Sequence, residues 1–122
     1  MQHRDKVVLQ KIVSEINIGT QLLGTNTLDE FLQNETLKRA IAMTVINIGE
    51  LVKNVTEEIR ISHPEVPWRQ VAGFRDITAH RYQTLRMEDV YQSVVEDFPA
   101  LKKQLNAICA KESTIEETGE DL

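Results

Sequence analysis

Residues 34–59 read NETLKRAIAMTVINIGELVKNVTEEI, and their periodicity decides the fold. Leu37, Ile41, Thr44, Val45, Ile48, Leu51, Val52, Val55 and Ile59 recur at three- and four-residue steps, the spacing that lines one face of an α-helix. The stripe continues for about six turns. Asn34 is placed to cap its start. Gly49 interrupts it at about 1 kcal/mol relative to alanine and offers a point where another helix can come close.

The same period extends outward in both directions. Upstream, Val8, Leu9, Ile12, Val13, Ile16, Leu22 and Leu23 form a first helix that Gly24 stops. Thr27 with Glu30 reads as a capping box that opens a short helix through Leu32. Downstream, Pro64 and Pro67 in ISHPEVPW end the long helix. His63 falls at that helix end, where a cap is expected, and Glu57, Glu58 and Arg60 read as a solvated face. Pro67 suits the first position of a new helix carrying Trp68, Val71 and Phe74. The last helix starts near Met87, with Glu88 and Asp89 in its first turn and Val90, Val94, Phe98, Leu101, Leu105 and Ile108 on its apolar face. Pro99 inside that run predicts a kink or a break. The fold class is all-α, a bundle of four or five helices.

Length and composition agree. A chain of 122 residues supports one core, and 41% hydrophobic with 27% charged residues argues against wholesale disorder. No apolar run approaches the roughly 20 residues of a membrane span, and the start MQHRDKVVLQ does not read as a secretory signal. Cys109 is the single cysteine, which excludes an internal disulfide and suits a reducing cytoplasm. The net charge of −5 is misleading, because Glu112, Glu116, Glu117, Glu120 and Asp121 supply all of it. Residues 1–111 carry 14 positive and 14 negative charges. The chain therefore divides into a helical domain, 1–111, and an acidic tail, 112–122, expected to be disordered.

Several chemistries lack their motifs. There is no glycine-rich phosphate loop, no HExxH, no paired cysteines and no GxSxG elbow, and His3, His63 and His80 are too scattered to argue a metal site. One dense constellation remains, RQVAGFRDITAHRYQTLR at 69–86. Arg69, Arg75, Arg81 and Arg86 stand there against Asp76 alone, with His80 and Tyr82 among them. Arginine offers phosphate oxygens a planar fork of donors, histidine exchanges protons near neutral pH, and tyrosine can orient a substrate. Arg75 and His80 would lie about 140° apart on a regular helix. Either the helix ends between them, or two subunits assemble the site. An ordinary reading stays open: Arg75 pairs with Asp76 or Glu50, and His80 closes a helix end.

The stretch RDITAHRY fits Arg-x4-His-x-Tyr and resembles the motif of the HEPN superfamily, specifically its HepT-like toxin branch, once called DUF86. The similarity spans roughly Leu37 to Leu101, through INIGELV, HPEVPWRQVAGFRDITAHRY and EDVYQSVVEDFPALKKQL. Membership implies an up-and-down bundle that forms a homodimer or a higher oligomer, with the two motifs meeting in one cleft. It implies a metal-independent, cofactor-free endoribonuclease acting as the toxin of a type VII-like toxin–antitoxin system on tRNA or mRNA. Arg75 and His80 match the catalytic pair, Tyr82 the motif tyrosine, with Asp76 and Glu50 as supporting residues and Arg69, Arg81 and Arg86 as RNA contacts. The implied partner is an MntA-like nucleotidyltransferase antitoxin that adds AMP to Tyr82. Asp76 departs from the small polar amide common in the wider superfamily. A non-catalytic helical dimer that regulates a nucleotidyltransferase, or a purely structural adaptor, would account for the same bundle.

Overall fold

The structure is a computed structural model that describes residues 1–76 and 82–120; the side chains of residues 75, 76 and 113–120 fall outside that description. The elements are α1 (His3–Leu23), α2 (Leu28–Gln33), α3 (Glu35–Val52), α4 (Glu57–Ser62), α5 (Trp68–Ala72), a 3₁₀ turn (Gly73–Asp76), α6 (Met87–Gln92), a π-helical turn (Ser93–Asp97) and α7 (Phe98–Glu120). Among the described residues there is no strand, so the architecture is all-α. No described helix is long and apolar enough to cross a membrane.

Local chemistry sets the boundaries. Gly24 closes α1 at φ 52°, a conformation that side chains rarely tolerate. Thr27 and Glu30 form the expected capping box, with reciprocal bonds of 2.9 and 3.2 Å. Asn34 Oδ1 accepts from the Leu37 amide at 3.0 Å and opens α3. Pro67 sits one position before α5, as its N-cap, so the predicted start moves by one residue.

The long apolar stripe is not one helix. α3 ends at Val52 and α4 begins at Glu57. The interruption comes from Asp5 on α1, which is fully buried and accepts from the Thr56 amide at 2.9 Å and from its hydroxyl at 2.6 Å. Those bonds hold Thr56 extended, at φ −67° and ψ 155°. Arg60 is correspondingly not a solvated residue, since its Nη2 donates to the Val52 carbonyl at 2.8 Å and closes the end of α3. Val55 and Ile59 stay buried across the break, which is why the apolar period survives it.

Contacts fix the directions. Asp5 meets Thr56 near one end of α1, and Gly19 meets Thr44 near the other, so α1 and α3 are antiparallel. Gly19 also faces Phe98 at the start of α7, while the Met1 amine lies 3.5 Å from Glu112 far along it, so α1 and α7 are antiparallel too. α3 is flanked by α1, α2, α5, the 3₁₀ turn and α6. Phe31, Ile41, Ile48, Val52, Phe98 and Leu105 form the fully buried centre.

Pro99 produces the predicted irregularity. It has no amide hydrogen, and its ring clashes with a regular helical carbonyl four residues back. The chain responds with the π turn, in which the Phe98 amide bonds the Ser93 carbonyl. α7 then runs past Lys111. Glu112 belongs to the folded unit, because its Oε1 lies 3.0 Å from Nε2 of the buried His63, whose Nδ1 lies 3.3 Å from Glu65. The backbone continues as helix to Glu120, and residues 121 and 122 lie outside the described residues.

A close helix approach occurs at Gly19. A Cβ there would sit 2.9 Å from Phe98 Cε2 and 3.2 Å from Thr44 Cγ2. Gly19→Ala is expected to destabilise the fold by about 1–3 kcal/mol in urea denaturation, the usual cost of overpacking. A Cβ at Gly73 would meet nothing within 4 Å, and the backbone there has a helical φ of −63°. Gly73→Ala is expected to be neutral or to stabilise by up to about 1 kcal/mol.

Candidate active site

The motif is approached by a short, firmly seated segment. Trp68 is buried, and its indole Nε1 donates to the His63 carbonyl at 2.9 Å. α5 ends at Ala72, and the chain tightens into the 3₁₀ turn that packs on α3. Regular α-helix has stopped before Arg75, and residues 77–80, on which the expected helix end falls, lie outside the described residues. The backbones of Arg75 and Asp76 lie in that turn. Their side chains, and residues 77–81 with His80 and Arg81, lie outside the described residues.

The described chain resumes at Tyr82, beside the first residue of α3. The Tyr82 hydroxyl donates to Glu35 Oε1 at 3.0 Å. The same oxygen accepts from Arg39 Nε at 3.0 Å, and Lys38 Nζ lies 3.1 Å from Glu35 Oε2. The Arg39 guanidinium lies 4.8 Å from the centroid of the Tyr82 ring, a cation–π arrangement. Lys38 chiefly, then the Tyr82 hydroxyl, hold the Glu35 carboxyl below its ordinary range. Burial first, then the bond to Glu35, pushes the Tyr82 phenol above its ordinary range. Tyr82 is thus kept protonated, half-buried, with its oxygen beside an exposed carboxylate and two cations.

Residues 12–108 match the family described as Ribonuclease HepT-like, a span that includes the motif, Glu35 and the core of α3. The chain belongs to the HepT-like ribonuclease family. A protein named "Putative RNase" from Caldanaerobacter subterraneus subsp. tengcongensis is 31% identical over 104 residues, covering 85% of this chain and 93% of that one. A "Probable ribonuclease HepT" from Thermococcus cleftensis is 29% identical over 102 residues, covering 84% and 93%. No solved structure matches the chain.

The other described residues expected at the site do not gather around Tyr82. Arg69 is exposed on α5. Arg86 is exposed, with its Nε 3.8 Å from Glu88 and 4.0 Å from Asp89 at the start of α6. Glu50 is exposed on α3, beside a groove shared with Lys11 and Glu15 of α1. A cleft of about 480 Å³ lies between α5 and α7, floored by Val71, Phe74, Phe98 and Leu101. Among the described residues its rim carries the acidic side chains Glu65 and Asp97. Among the described residues no cluster of three His, Cys, Asp or Glu side chains is arranged to hold a metal ion. Cys109 is half-buried on α7, and burial pushes its thiol up.

Sequence reasoning missed Glu35, Lys38 and Arg39. Their spacing in ETLKR does announce helical ion pairs. It says nothing of Tyr82, 47 positions later. On a Tyr91→Phe background, Tyr82 is expected to titrate above the ordinary tyrosine value of about 10 in tyrosinate absorbance. Glu35→Gln should lower that midpoint without restoring it fully, because burial remains. A midpoint indifferent to Glu35→Gln would mean the bond does not form in solution.

Proposed function

We propose that this HepT-like chain is a metal-independent endoribonuclease, working as a homodimer in which the motifs of two protomers share one cleft. The observation that carries the reading is the intact spacing of Arg75, His80 and Tyr82 inside the region that matches the family. One histidine takes the proton from a ribose 2′-hydroxyl, whose oxygen attacks the adjacent phosphorus. A second histidine, from the other protomer, gives a proton to the departing 5′-oxygen. The products are a 2′,3′-cyclic phosphate and a free 5′-hydroxyl. Arg75 stabilises the extra negative charge of the pentacoordinate intermediate, where a fixed donor gains most. Arg69, Arg81 and Arg86 contribute phosphate contacts, and Asp76 and Glu50 act as supporting residues. With few cations, RNA binding should be moderate, and its salt slope should report the number of phosphate contacts made.

In this reading the chain is the cytoplasmic toxin of a toxin–antitoxin pair, and an MntA-like nucleotidyltransferase silences it by adding AMP to Tyr82. The Tyr82 oxygen attacks the α-phosphorus of ATP, the α–β phosphoanhydride bond breaks, pyrophosphate leaves, and the phenolic proton passes to solvent. The exposure of Glu35 supports such access, since the tyrosine oxygen lies beside a solvated carboxylate rather than in the core.

The test is cleavage of total cellular RNA by purified protein with EDTA present, beside His80→Ala, with intact mass confirming unmodified Tyr82. The expected result is cleavage by the unsubstituted protein and a loss of about 10²- to 10⁴-fold in His80→Ala at unchanged fold. No cleavage by unmodified, dimeric protein would transfer the weight to a non-catalytic dimer that regulates its nucleotidyltransferase.

A further inference from the structure

The carboxylate of Glu35 occupies a position that a phosphate would suit. It is an anion held between Lys38 and Arg39, and it touches the atom on which the proposed nucleotidyl group would form. We propose that the first turns of α3 are the receiver of the modified tyrosine: the phosphodiester on Tyr82 displaces Glu35 and is held by Lys38 and Arg39. The proposal rests on the reading that Tyr82 is nucleotidylated, and it names the residues that read that modification.

Esterification removes the bond that now seats the ring. The Tyr82 oxygen then has no hydrogen to donate, so its bond to Glu35 Oε1 is lost outright. Two acceptor oxygens cannot remain at 3.0 Å without a proton between them, and the new phosphodiester adds a second anion beside the first. Glu35 must therefore withdraw or Tyr82 must move.

The cations decide which. Lys38 and Arg39 stand three and four positions after Glu35 on the same helix: Arg39 covers the Tyr82 ring and bonds the carboxylate oxygen that Tyr82 touches, and Lys38 holds the other oxygen of that carboxylate. The Arg39 pair with Glu35 is exposed on both sides and the Lys38 pair on the carboxylate side; such contacts within one helix hold weakly against competition and salt. Arginine also matches phosphate better than a single carboxylate oxygen, because its fork can take two phosphate oxygens together. Two cations and one mobile carboxylate leave a net positive charge for the ester. The phosphate lies one bond beyond the Tyr82 oxygen, so it reaches them with little displacement of the ring that Arg39 already covers.

The exchange links modification to RNA binding. In the unmodified protein Lys38 and Arg39 flank Tyr82 and can also approach an RNA phosphate. In the modified protein both are engaged by a phosphodiester covalently tied to the site, whose single negative charge cancels the one positive charge that Glu35 leaves. Silencing then includes the loss of that positive charge as well as the bulk of the nucleotide.

The experiment installs phosphotyrosine at position 82 of the full chain by genetic encoding and follows its ³¹P resonance with pH. Phosphotyrosine serves as the probe because its second ionisation lies near about 6 and reports nearby charge. The expected midpoint lies at least about 0.5 unit below that of a free phosphotyrosine peptide, and Lys38→Gln with Arg39→Gln brings it back. Glu35→Gln should lower it further, since a competing anion is removed. A midpoint at or above the peptide value would overturn the proposal, because Glu35 would then keep its cations and repel the ester. Circular dichroism confirms that each variant is folded. Separately, intact mass of the chain co-expressed with a cognate nucleotidyltransferase tests the modification itself. An absent adenylyl mass would remove the underlying reading, and with it the role of Lys38 and Arg39 in receiving that modification, whatever the titration gives.

Discussion

Helix α3 has to satisfy neighbours on nearly every side, and the rest of the molecule is arranged around that demand. α1 runs antiparallel along it, α2 and α6 pack near it, and α5 with the 3₁₀ turn crosses another flank. Its two ends are fixed by different chemistry. Asn34 caps the first turn, while Arg60 closes the last by bonding the Val52 carbonyl. The buried Asp5 then draws Thr56 out of helical geometry and sets where the chain turns. A fully buried carboxylate is tolerated only because both of its oxygens accept hydrogen bonds. The consequence for function is positional. The 3₁₀ turn carrying the backbones of Arg75 and Asp76 packs on α3, and Tyr82 is bonded to the first residue of the same helix. One rigid element therefore seats both flanks of the motif.

Much of this is legible in the sequence wherever a local rule suffices. The capping box at Thr27, the stop at Gly24, the cap at Asn34 and the irregularity before Pro99 are all local statements, and each holds. What escapes the sequence depends on residues far apart. The break at Thr56 is hidden because Val55 and Ile59 continue the apolar stripe, and its cause lies 51 positions away in Asp5. Gly19, which no local rule singles out, is a place where Phe98 and Thr44 leave no room for a Cβ. Glu112 reads as the first residue of an acidic tail until its partner, His63, is known. Arg60 reads as surface for the same reason.

The site divides along the same line. Arg75, His80 and Tyr82 announce themselves through their spacing, and the family match spans them. Glu35, Lys38 and Arg39 do not, because an ETLKR sequence has an ordinary explanation in helical ion pairs. Their importance appears only when Tyr82 is found against them. This also explains why net charge is a poor guide to this molecule. Locally, one carboxylate and two cations gather on the first turns of α3, where the Tyr82 hydroxyl meets them.

The seating of Tyr82 on α3 underlies both the motif geometry and its proposed control, so it is the point to measure. Side-chain nuclear Overhauser effects in the unmodified protein read it without reference to activity. This seating predicts cross-peaks from the Tyr82 ring to the Arg39 δ-methylene and the Glu35 γ-methylene, lost from the ring when Glu35 and Arg39 are both replaced by alanine. A Tyr82 ring with no cross-peak to either residue, in a folded protein, would contradict it.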